Sequence, residues 1–415
     1  MARIINVIKG TKDILPQDAD MWQVLEKNAL EVFSKYGYKE IRTPIFEATE
    51  LFARGVGDTT DIVNKEMYTF EKSDRSLTLR PENTAGVVRS YIENGMSRIS
   101  PPVKLWYKGP MFRYERPQAG RQRQFHQVGV EMFGVKEPAA DAEVILLAVN
   151  YLKSLGLNDL EVEINSLGCP QCREEYKNKI KEVLKPEFNN LCEDCQNRYE
   201  KNPLRLLDCK VESCKEIFEK PDIKAVIQSD FICEECAGHY SKLKEYLNSL
   251  NIKYIENKLL VRGLDYYNRT VFEIKSNNLG SQNAVCGGGR YDSLVRNLGG
   301  DDTPAVGWAM GMERLISLLP KTEPEKLDAF IVSNDAPEAF KLSEELRAQG
   351  LKVEFDLQNK KFTKQLEKAS KIAKFAFILG EDEINTNTVS VKNLASSVQK
   401  KIERKNLRSE YIHVN

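Results

Sequence analysis

FRYERPQAGRQRQFHQVGVEMFG, residues 112–134, is the stretch that decides the fold. Two runs with period-two alternation flank a Pro- and Gly-containing loop at residues 116–120, which predicts a β-hairpin. Alternate side chains of a strand point to opposite faces, so the even-numbered apolar residues can pack into a core. These are Val128, Val130 and Met132. The odd-numbered residues then share the other face: Arg113, Glu115, Arg123, Phe125, Gln127, Gly129 and Glu131.

The odd-numbered face has two interpretations. It could be the solvated side of an ordinary amphipathic hairpin. However, guanidinium forks match the geometry of phosphate, and an aromatic ring can stack on a base. These residue types favour a hairpin that holds a nucleotide. His126 falls on an even position, which directs it away from this face, and we assign it no catalytic role.

The segments FRYE and RQFHQVGVE around the loop resemble motif 2 of class II aminoacyl-tRNA synthetases, in the form found in the histidyl-tRNA synthetase family. The resemblance implies ATP and L-histidine as substrates, Mg2+ with the nucleotide, and tRNA-His as acceptor. It also implies an α/β (α+β) fold class: a catalytic domain with a mainly antiparallel sheet, a Cys-rich insertion, and a C-terminal α/β anticodon-binding domain. In this family Arg113 would contact the α-phosphate, Phe125 would stack on adenine, and Glu115 would act with Mg2+.

Composition agrees with a globular enzyme in the cytoplasm. The 415 residues are 41% hydrophobic and 29% charged, and the 61 basic and 61 acidic residues balance. Any tRNA contact must therefore use local basic patches. The start of the chain lacks the pattern of a signal peptide, and no apolar run reaches the roughly 18 residues of a membrane span. We expect a cytoplasmic protein without a membrane partner, in which cysteines are reduced or bind metal.

Two segments before the hairpin fit the same family. Helical spacing over residues 17–36, ended by Gly37, precedes a strand-like run interrupted by Pro44, and this resembles motif 1, which implies a homodimer. Residues 77–86, LTLRPENTAG, predict a short strand and a helix that begins near Thr84. Glu82 and Thr84 would surround the α-amino group of histidine together with Gln127. The alternative is a simple helix start, where Thr and acidic residues are favoured.

A helical segment is predicted after the hairpin, from Pro138 to about Gly156, and further motifs follow it. VRGLDYY, residues 261–267, resembles the histidine-specific motif, so Arg262 would contact the α-phosphate and the histidine carboxylate. Tyr266 and Tyr267 would line the imidazole pocket, and Glu131, supported by Tyr267, would accept an imidazole N–H. The alternative is a structural Arg and Tyr pair on a loop. Residues 305–315, AVGWAMGMERL, resemble motif 3, in which Arg314 packs over adenine and contacts the γ-phosphate; a buried Glu–Arg pair is the alternative.

The resemblance completes a set of candidate residues. The catalytic pair is Arg262 and Arg113. The tRNA acceptor end would contact Arg116, Gln118 and Arg121. Neither G-x-G-x-x-G nor a P-loop occurs in the chain, which counts against a Rossmann dehydrogenase or a P-loop NTPase.

Eight of the nine cysteines form four doublets between residues 169 and 236. Cys169, Cys172, Cys192 and Cys195 fit C-x2-C-x19-C-x2-C, which is zinc-site spacing and predicts a structural Zn2+. A second set would be Cys209, Cys214, Cys233 and Cys236, and crossed pairings stay open. The alternative is eight reduced, packed thiols.

The predicted division of the chain has four parts: catalytic residues 1–168, an insertion at 169–255, catalytic residues 256–323 and an anticodon-binding domain at 324–415. The last part alternates strands and helices, which indicates a largely parallel sheet, and a final helix would carry Lys400, Lys401, Arg404 and Lys405. Two rival functions are a catalytically silent regulatory subunit of ATP phosphoribosyltransferase and a nucleic-acid-binding protein with a zinc module. The first typically lacks the C-terminal domain, and the second leaves FRYE and RGLDYY unexplained.

Overall fold

A computed structural model describes residues 4–57, 60–117, 121–229, 231–276, 284–320 and 325–414. The chain divides into two compact units, Met1–Lys321 and Thr322–Asn415. The four-part division with its boundaries stays a prediction. Gln118 lies outside the described residues.

The first unit is built from helices and strands in mixed order. Its helices are α1 (Pro16–Lys35), α2 (Thr49–Val56), α3 (Thr84–Glu93), α4 (Pro138–Ser154), α5 (Pro170–Leu184), α6 (Glu193–Lys201), α7 (Glu212–Phe218), α8 (Pro221–Gln228), α9 (Glu234–Ser249), α10 (Leu294–Asn297) and α11 (Met312–Leu318). Its strands are β1 (Lys39–Glu40), β2 (Phe46–Ala48), β3 (Tyr68–Lys72), β4 (Arg75–Leu79), β5 (Val103–Phe112), β6 (Gln124–Phe133), β7 (Leu160–Ser166), β8 (Tyr254–Glu256), β9 (Asn268–Ser276), β10 (Ala284–Arg290) and β11 (Ala305–Gly311). Short irregular helical turns span Ile62–Glu66, Met96–Arg98, Lys185–Asn190 and Pro203–Asp208.

Local sequence signals explain the ends of the two long helices beside the sheet. Pro16 and Pro138 stand at the first position of α1 and α4, where a missing backbone N–H costs nothing. Gly37 and Gly156 follow their last turns with φ of 81° and 84°, a backbone conformation that favours glycine. The helices predicted over residues 17–36 and from 138 to about 156 are therefore present.

The main sheet has eight strands in the order β1-β5-β6-β11-β10-β9-β7-β8. The β1/β5 and β7/β8 pairs are parallel, and the five pairs between them are antiparallel. The mainly antiparallel catalytic sheet is thus confirmed. The predicted hairpin is its β5–β6 pair, in register from Val103↔Phe133 to Phe112↔Gln124.

The even-numbered face of β6 packs as predicted. Val128, Val130 and Met132 are at most 3% exposed and lie in a core that also contains side chains of α1, α4 and β11. Burial of each such side chain stabilises the fold by about 1.5–3 kcal/mol. The opposite face of the sheet is thereby left to the odd-numbered residues. A smaller sheet in the order β2-β4-β3 leads into α3, which brings residues 82–84 to that opposite face.

The Cys-rich segment has a hydrophobic cluster of its own. Side chains of α5, α7 and α8 pack there with Leu191 and with three cysteines, Cys195, Cys209 and Cys214. By contrast, α9 packs on α4, and its Tyr240, Leu243 and Leu247 belong to the core of the main sheet.

The second unit contains β12 (Leu327–Ser333), α12 (Ala336–Ala348), β13 (Val353–Phe355), α13 (Phe362–Ile372), β14 (Ala373–Leu379), α14 (Glu381–Asn385), β15 (Thr388–Asn393), β16 (Gln399–Glu403) and α15 (Leu407–Glu410). The sheet order is β13-β12-β14-β15-β16. The β12 pairs are parallel, but β14/β15 and β15/β16 are antiparallel, so the sheet is mixed rather than largely parallel.

The predicted final basic helix is wrong. Lys400 and Lys401 lie on strand β16, and Arg404 and Lys405 lie in the 3-10 turn that follows it. Only Ile402 of β16 is buried. Lysines on a short edge strand discourage pairing with other chains. A run of exposed basic residues has the same sequence pattern on such a strand as on the solvated face of a helix.

Candidate active site

The odd-numbered face of the hairpin lies over a floor of small residues. Gln127, Gly129 and Glu131 of β6 pair with Gly311, Ala309 and Gly307 of β11. Gly307 and Ala309 pair in turn with Gly289 and Gly287 of β10. Paired residues share a face of a sheet. On this face Tyr107 covers Gly129, and the side chains of Glu131 and Arg262 lie against Gly307 and Gly287. The small residues therefore let functional side chains approach the sheet closely.

Two of these glycines are required by close approach of a functional group. A Cβ atom on Gly307 would overlap the Glu131 carboxylate, and one on Gly287 would overlap the Arg262 guanidinium. Any side chain at either position would push a charged group out of the site. The glycines thus allow the two oppositely charged groups to lie flat against the sheet.

Glu131 is the most perturbed acid of this face. It is 1% exposed, and burial raises its pKa to about 8. Thr84 Oγ1 donates to one carboxylate oxygen over 2.7 Å, and the Tyr291 hydroxyl donates to the other. Both oxygens are therefore held in place by hydroxyl groups, and the carboxyl group is largely protonated at neutral pH.

One expectation about Glu131, the identity of the tyrosine that supports its carboxylate, is corrected by the structure. We expected Tyr267 to support this carboxylate, but the hydroxyl that donates to it belongs to Tyr291. Tyr267 instead packs against Tyr266, with ring centroids 4.6 Å apart, and Tyr266 contacts Tyr291 at 5.5 Å. Tyr291 lies within GGGRYDSL, residues 287–294, directly after β10. The signal that could have found it is a phenol directly after a strand of the catalytic sheet.

Glu82 and Thr84 lie at the start of α3, and Glu82 makes the contacts of a simple helix start. The Glu82 carboxylate accepts the backbone N–H groups of Thr84 and Ala85, at 2.6 and 3.0 Å, and so caps α3 as in a simple helix start. A carboxylate has about four acceptor sites, so capping leaves capacity for an ammonium group. Glu82 is 4% exposed, and burial raises its pKa. A bound cation would favour its ionised form.

Gln127 and Arg262 each carry a buried polar atom that has no partner among the described residues. The side-chain oxygen of Gln127 and the Nε of Arg262 are both buried without a hydrogen bond. Such atoms are rare in folded proteins because desolvation costs about 1–3 kcal/mol when the bond is not made. One is an acceptor and the other a donor, which are the complements of an ammonium group and of a carboxylate.

Arg262 is fixed by its neighbours. Its Nη1 donates to Glu273 Oε2 over 2.8 Å, and its guanidinium lies 5.9 Å from the centre of the Tyr267 ring. Both Tyr266 and Tyr267 are buried. The RGLDYY loop therefore brings a guanidinium and two phenols to one edge of the glycine floor, with Glu273 as an unforeseen partner.

The residues predicted to bind ATP lie at the open end of the hairpin. Arg113 donates from Nε to Pro81 O over 2.8 Å, and its guanidinium is 5.2 Å from the centre of the Phe125 ring. Glu115 accepts from Arg121 at 3.1 Å and lies 3.8 Å from Arg113. The structure therefore brings together Arg113, Glu115 and Phe125, and adds Arg121 to them.

Arg314 approaches the same end from α11. Its Nη1 donates to Ala284 O over 2.8 Å, and its guanidinium is half-buried. Burial and the charge of Arg121 lower its pKa. Two guanidinium groups that destabilise one another in a partly buried site provide a place for an anion.

Three arginines and one histidine of the hairpin differ in their surroundings. Arg116 is exposed, and Arg121 is exposed beside Glu115. Arg123 stacks on Tyr114 at 4.0 Å and donates to Lys9 O, so it holds the N-terminal segment. His126 Nδ1 contacts Glu313 Oε1 at 2.9 Å.

The cysteine doublets meet in a different grouping from the predicted one. The outer tetrad consists of Cys169, Cys172, Cys233 and Cys236, and the inner tetrad consists of Cys192, Cys195, Cys209 and Cys214. The predicted set Cys169, Cys172, Cys192, Cys195 is therefore wrong, since the structure separates its two halves. The physical reason is that an inserted segment leaves and re-enters the sheet at neighbouring points, so its first and last doublets meet.

Three features together are those of a class II aminoacyl-tRNA synthetase. They are the mainly antiparallel sheet with its glycine floor, the arginine-rich hairpin, and Arg314 on α11. A family model described as histidyl-tRNA synthetase matches residues 10–315, and one described as anticodon binding domain matches residues 323–412. The chain belongs to the histidyl-tRNA synthetase family.

Individual relatives agree over nearly the full length. Histidine–tRNA ligase of Desulfitobacterium hafniense (strain DCB-2) is 50% identical over 396 residues, which cover 93% of this chain and 92% of that protein. The ligase of Caldanaerobacter subterraneus is 48% identical over 404 residues, or 95% and 96% of the two chains. The apo crystal structure of the S. aureus histidyl-tRNA synthetase has a TM-score of 0.81 at 38% identity, covering 98% of this chain and 100% of that one.

A more distant structural match shares only the fold. A Bacillus halodurans structure described as an ATP phosphoribosyltransferase regulatory subunit/histidyl-tRNA synthetase has a TM-score of 0.62 at 24% identity. In the part of the chain that the structure describes, no helix combines the length and the apolar character that crossing a membrane requires.

Proposed function

We propose that this histidine–tRNA ligase binds L-histidine on the glycine floor and activates it with ATP held by the open end of the hairpin. A carboxylate oxygen of histidine would attack the α-phosphorus, the bond to the β-phosphate would break, and pyrophosphate would leave. The histidyl group would then pass from the adenylate to tRNA-His.

The observation that carries the proposal is the pair of unpartnered buried atoms. The Gln127 oxygen and the Glu82 and Thr84 oxygens supply acceptors for an α-ammonium group. The Arg262 Nε supplies a donor for the α-carboxylate. A free amino acid carries both groups on one carbon, so a single ligand would satisfy both atoms.

Glu131 supports histidine as the amino acid. Its carboxyl group, with a pKa of about 8, can accept an N–H from an imidazole when ionised. Tyr266 and Tyr267 supply flat walls for the ring. An amino acid without a ring N–H would leave Glu131 and its hydroxyl partners incompletely paired, and sites of this kind discriminate by ~10⁴ or more.

The arginines supply fixed positive charge for the phosphates. Arg113 and Arg262 would face the α-phosphate, and Arg314, with Arg121 beside it, would hold the distal phosphates, while Phe125 stacks on adenine. These side chains are anchored by Pro81, Glu273 and Ala284 before any ligand binds. Preorganised charge of this kind stabilises negative charge that develops in the transition state without reorganisation.

The carboxylates near the hairpin fit a Mg2+ ion. Burial raises the pKa of Glu66, and the Glu115 charge raises it further, so these two acids are close enough to repel one another. Mg2+ prefers carboxylate and phosphate oxygens. We assign Glu115, with Glu66, to hold Mg2+ against the phosphates, where the ion would neutralise phosphate charge.

The remaining partners follow from family resemblance. Arg116, Gln118 and Arg121 would contact the acceptor end of tRNA-His, and the unit from residue 322 onward would bind the anticodon. The motif 1 segment would form a homodimer interface. A cytoplasmic location is typical of aminoacyl-tRNA synthetases, and we infer it for this chain.

ATP–pyrophosphate exchange, measured with each amino acid in turn, tests the proposal. Exchange should depend on histidine and on the divalent ion. Gln127→Ala should raise KM for histidine more than KM for ATP, whereas Arg116→Ala, at an exposed position off the floor, should leave exchange unchanged. If none of the amino acids supported exchange, the result would contradict the proposal and favour a silent paralogue.

A further inference from the structure

The four cysteine doublets form two compact sulfur clusters, which the synthetase reaction does not use. Within each tetrad, all four sulfur atoms lie within 4.8 Å of one another. Cys169 and Cys172 are 3.4 Å apart at sulfur in the outer tetrad, and Cys192 and Cys209 are 3.9 Å apart in the inner one. All eight are free thiols.

These distances suit one metal ion per cluster. A disulfide requires a sulfur separation of about 2.05 Å. A tetrahedral Zn2+ with Zn–S bonds of about 2.3 Å places its sulfurs about 3.8 Å apart. An iron–sulfur cluster also uses four cysteines, but it needs space for inorganic sulfide between them. Sulfurs this close leave space for a single ion.

The backbone is arranged to stabilise thiolates. Cys169, Cys192 and Cys233 each stand immediately before a helix, and Cys172, Cys195 and Cys236 lie in its first turn. The N–H of Cys233 points at Cys172 Sγ over 3.1 Å, that of Cys169 at Cys236 Sγ over 3.2 Å, and that of Cys192 at Cys214 Sγ over 3.3 Å. Helix N-termini and N–H donors favour the anionic form of sulfur.

We propose that the chain holds two structural Zn2+ ions, one in each tetrad. The outer ion fixes the RGLDYY loop, residues 262–267, through α5, and this loop is called the histidine loop below. Four clustered thiolates repel one another unless a cation lies between them. The inner ion stabilises a segment with a small apolar core, to which Cys195, Cys209 and Cys214 themselves belong.

The link to the histidine loop is one side chain. Arg173, the residue after Cys172 on α5, donates from Nη1 to the backbone carbonyls of Asp265 and Tyr267, at 3.1 and 2.7 Å. The outer ion would join the first turns of α5 and α9, and α9 is packed into the core of the main sheet. Arg173 is thus a positioning residue between a metal-fixed helix and the proposed wall of the imidazole pocket, and this part rests on the proposed function.

Metal content tests the sites independently of activity. Elemental analysis of full-length protein purified without chelator should give two zinc per chain, and X-ray absorption should give four sulfur ligands at about 2.3 Å. Two quadruple serine variants separate the groupings. C169S/C172S/C233S/C236S should retain one zinc, and C169S/C172S/C192S/C195S should retain none. Zinc well below one per chain in the wild type, or iron in its place, overturns the proposal, even if a variant does not fold.

Steady-state exchange tests the positioning role. Arg173→Ala should raise KM for histidine about tenfold or more, since small displacements of a binding group have effects of this size, while KM for ATP and zinc content stay unchanged. Lys179→Ala, on an exposed position of the same helix, is the matched control. The outer quadruple variant should reproduce the KM effect, and adding Arg173→Ala to it should have little further effect. If KM for histidine were unchanged in Arg173→Ala, the link between the outer ion and the loop would be refuted. If the wild type showed no exchange at all, the proposed function would be refuted instead.

Discussion

Glu131→Gln should stabilise the unliganded protein at alkaline pH while weakening histidine activation. Burial raises the Glu131 pKa from 4.5 to about 8. The folded state therefore holds this proton more tightly than the unfolded chain does. The free energy of unfolding consequently falls as the pH rises from 4.5 to about 8, and it is independent of this group above that range.

The magnitude follows from the shift. At 1.36 kcal/mol per pKa unit, a rise from 4.5 to about 8 corresponds to about 5 kcal/mol, of which about 4 kcal/mol falls between pH 5 and pH 8.5. Glutamine has nearly the same shape and does not ionise, and the hydroxyls of Thr84 and Tyr291 can rotate to accept from its amide. The variant should therefore lack this pH-dependent loss.

The assay is urea unfolding of both proteins at pH 5 and pH 8.5. The stability of Glu131→Gln relative to wild type should increase by up to about 4 kcal/mol between the two conditions. Glu216→Gln, at an exposed position, controls for the change in net charge. Exchange activity with histidine should fall by about 10- to 100-fold in kcat/KM, because a charged hydrogen bond becomes a neutral one. A stability difference that is equal at both pH values would refute the reasoning about burial.

Three further variants and a truncation test other parts of the site. Arg262→Ala should lower adenylation by about 10² or more, with a smaller effect on transfer from preformed adenylate; equal loss in both steps with a lower melting temperature would indicate a structural role. Phe125→Ala should raise KM for ATP by about 5- to 150-fold, the scale of one base stack, with Phe125→Tyr as control and KM for histidine as the second readout. Gly307→Ala should reduce stability by about 1–3 kcal/mol and raise KM for histidine, because a Cβ overlaps the Glu131 carboxylate; denaturant unfolding with no change would contradict the close packing. A chain cut after Leu319 should keep adenylation and lose tRNA charging, and parallel loss in a folded truncation would contradict the assignment of the second unit.

The sequence was sufficient to predict which side chains are buried wherever one side of a helix or strand is apolar and the other is polar. The alternation in residues 124–133 predicted which side chains of β6 are buried, because a one-residue shift in register would expose every valine. The positions of Gln127 and Glu131 on the opposite face followed from the same parity. Periodicity also predicted α1 and α4, whose ends carry proline and glycine signals.

Pairing across distant segments could not be derived in this way. Tyr291 and Glu273 complete the surroundings of Glu131 and Arg262. Glu273 lies on β9 and Tyr291 directly follows β10, and no local pattern relates either residue to its partner. The cysteine grouping failed for a related reason. Spacing measures separation along the chain, whereas the tetrads depend on where α5 and α9 begin in space. In β16, a charged edge strand was indistinguishable from an amphipathic helix, since only one of its side chains is buried.

The features that make the site competent also reduce the stability of the empty protein. An unpaired Gln127 oxygen, an unpaired Arg262 Nε and a carboxyl group with a pKa of about 8 are each unfavourable without a ligand. Histidine would supply the missing partner for each of them at once, so its binding should couple to proton release from Glu131 near neutral pH. The affinity for histidine should therefore rise with pH up to about 8, in opposition to the stability of the free enzyme over the same range. Histidine titration by calorimetry in buffers of different ionisation enthalpy measures the released protons, and Glu131→Gln identifies their source. Equal proton release by wild type and Glu131→Gln at pH 7 would show that Glu131 does not release a proton on binding.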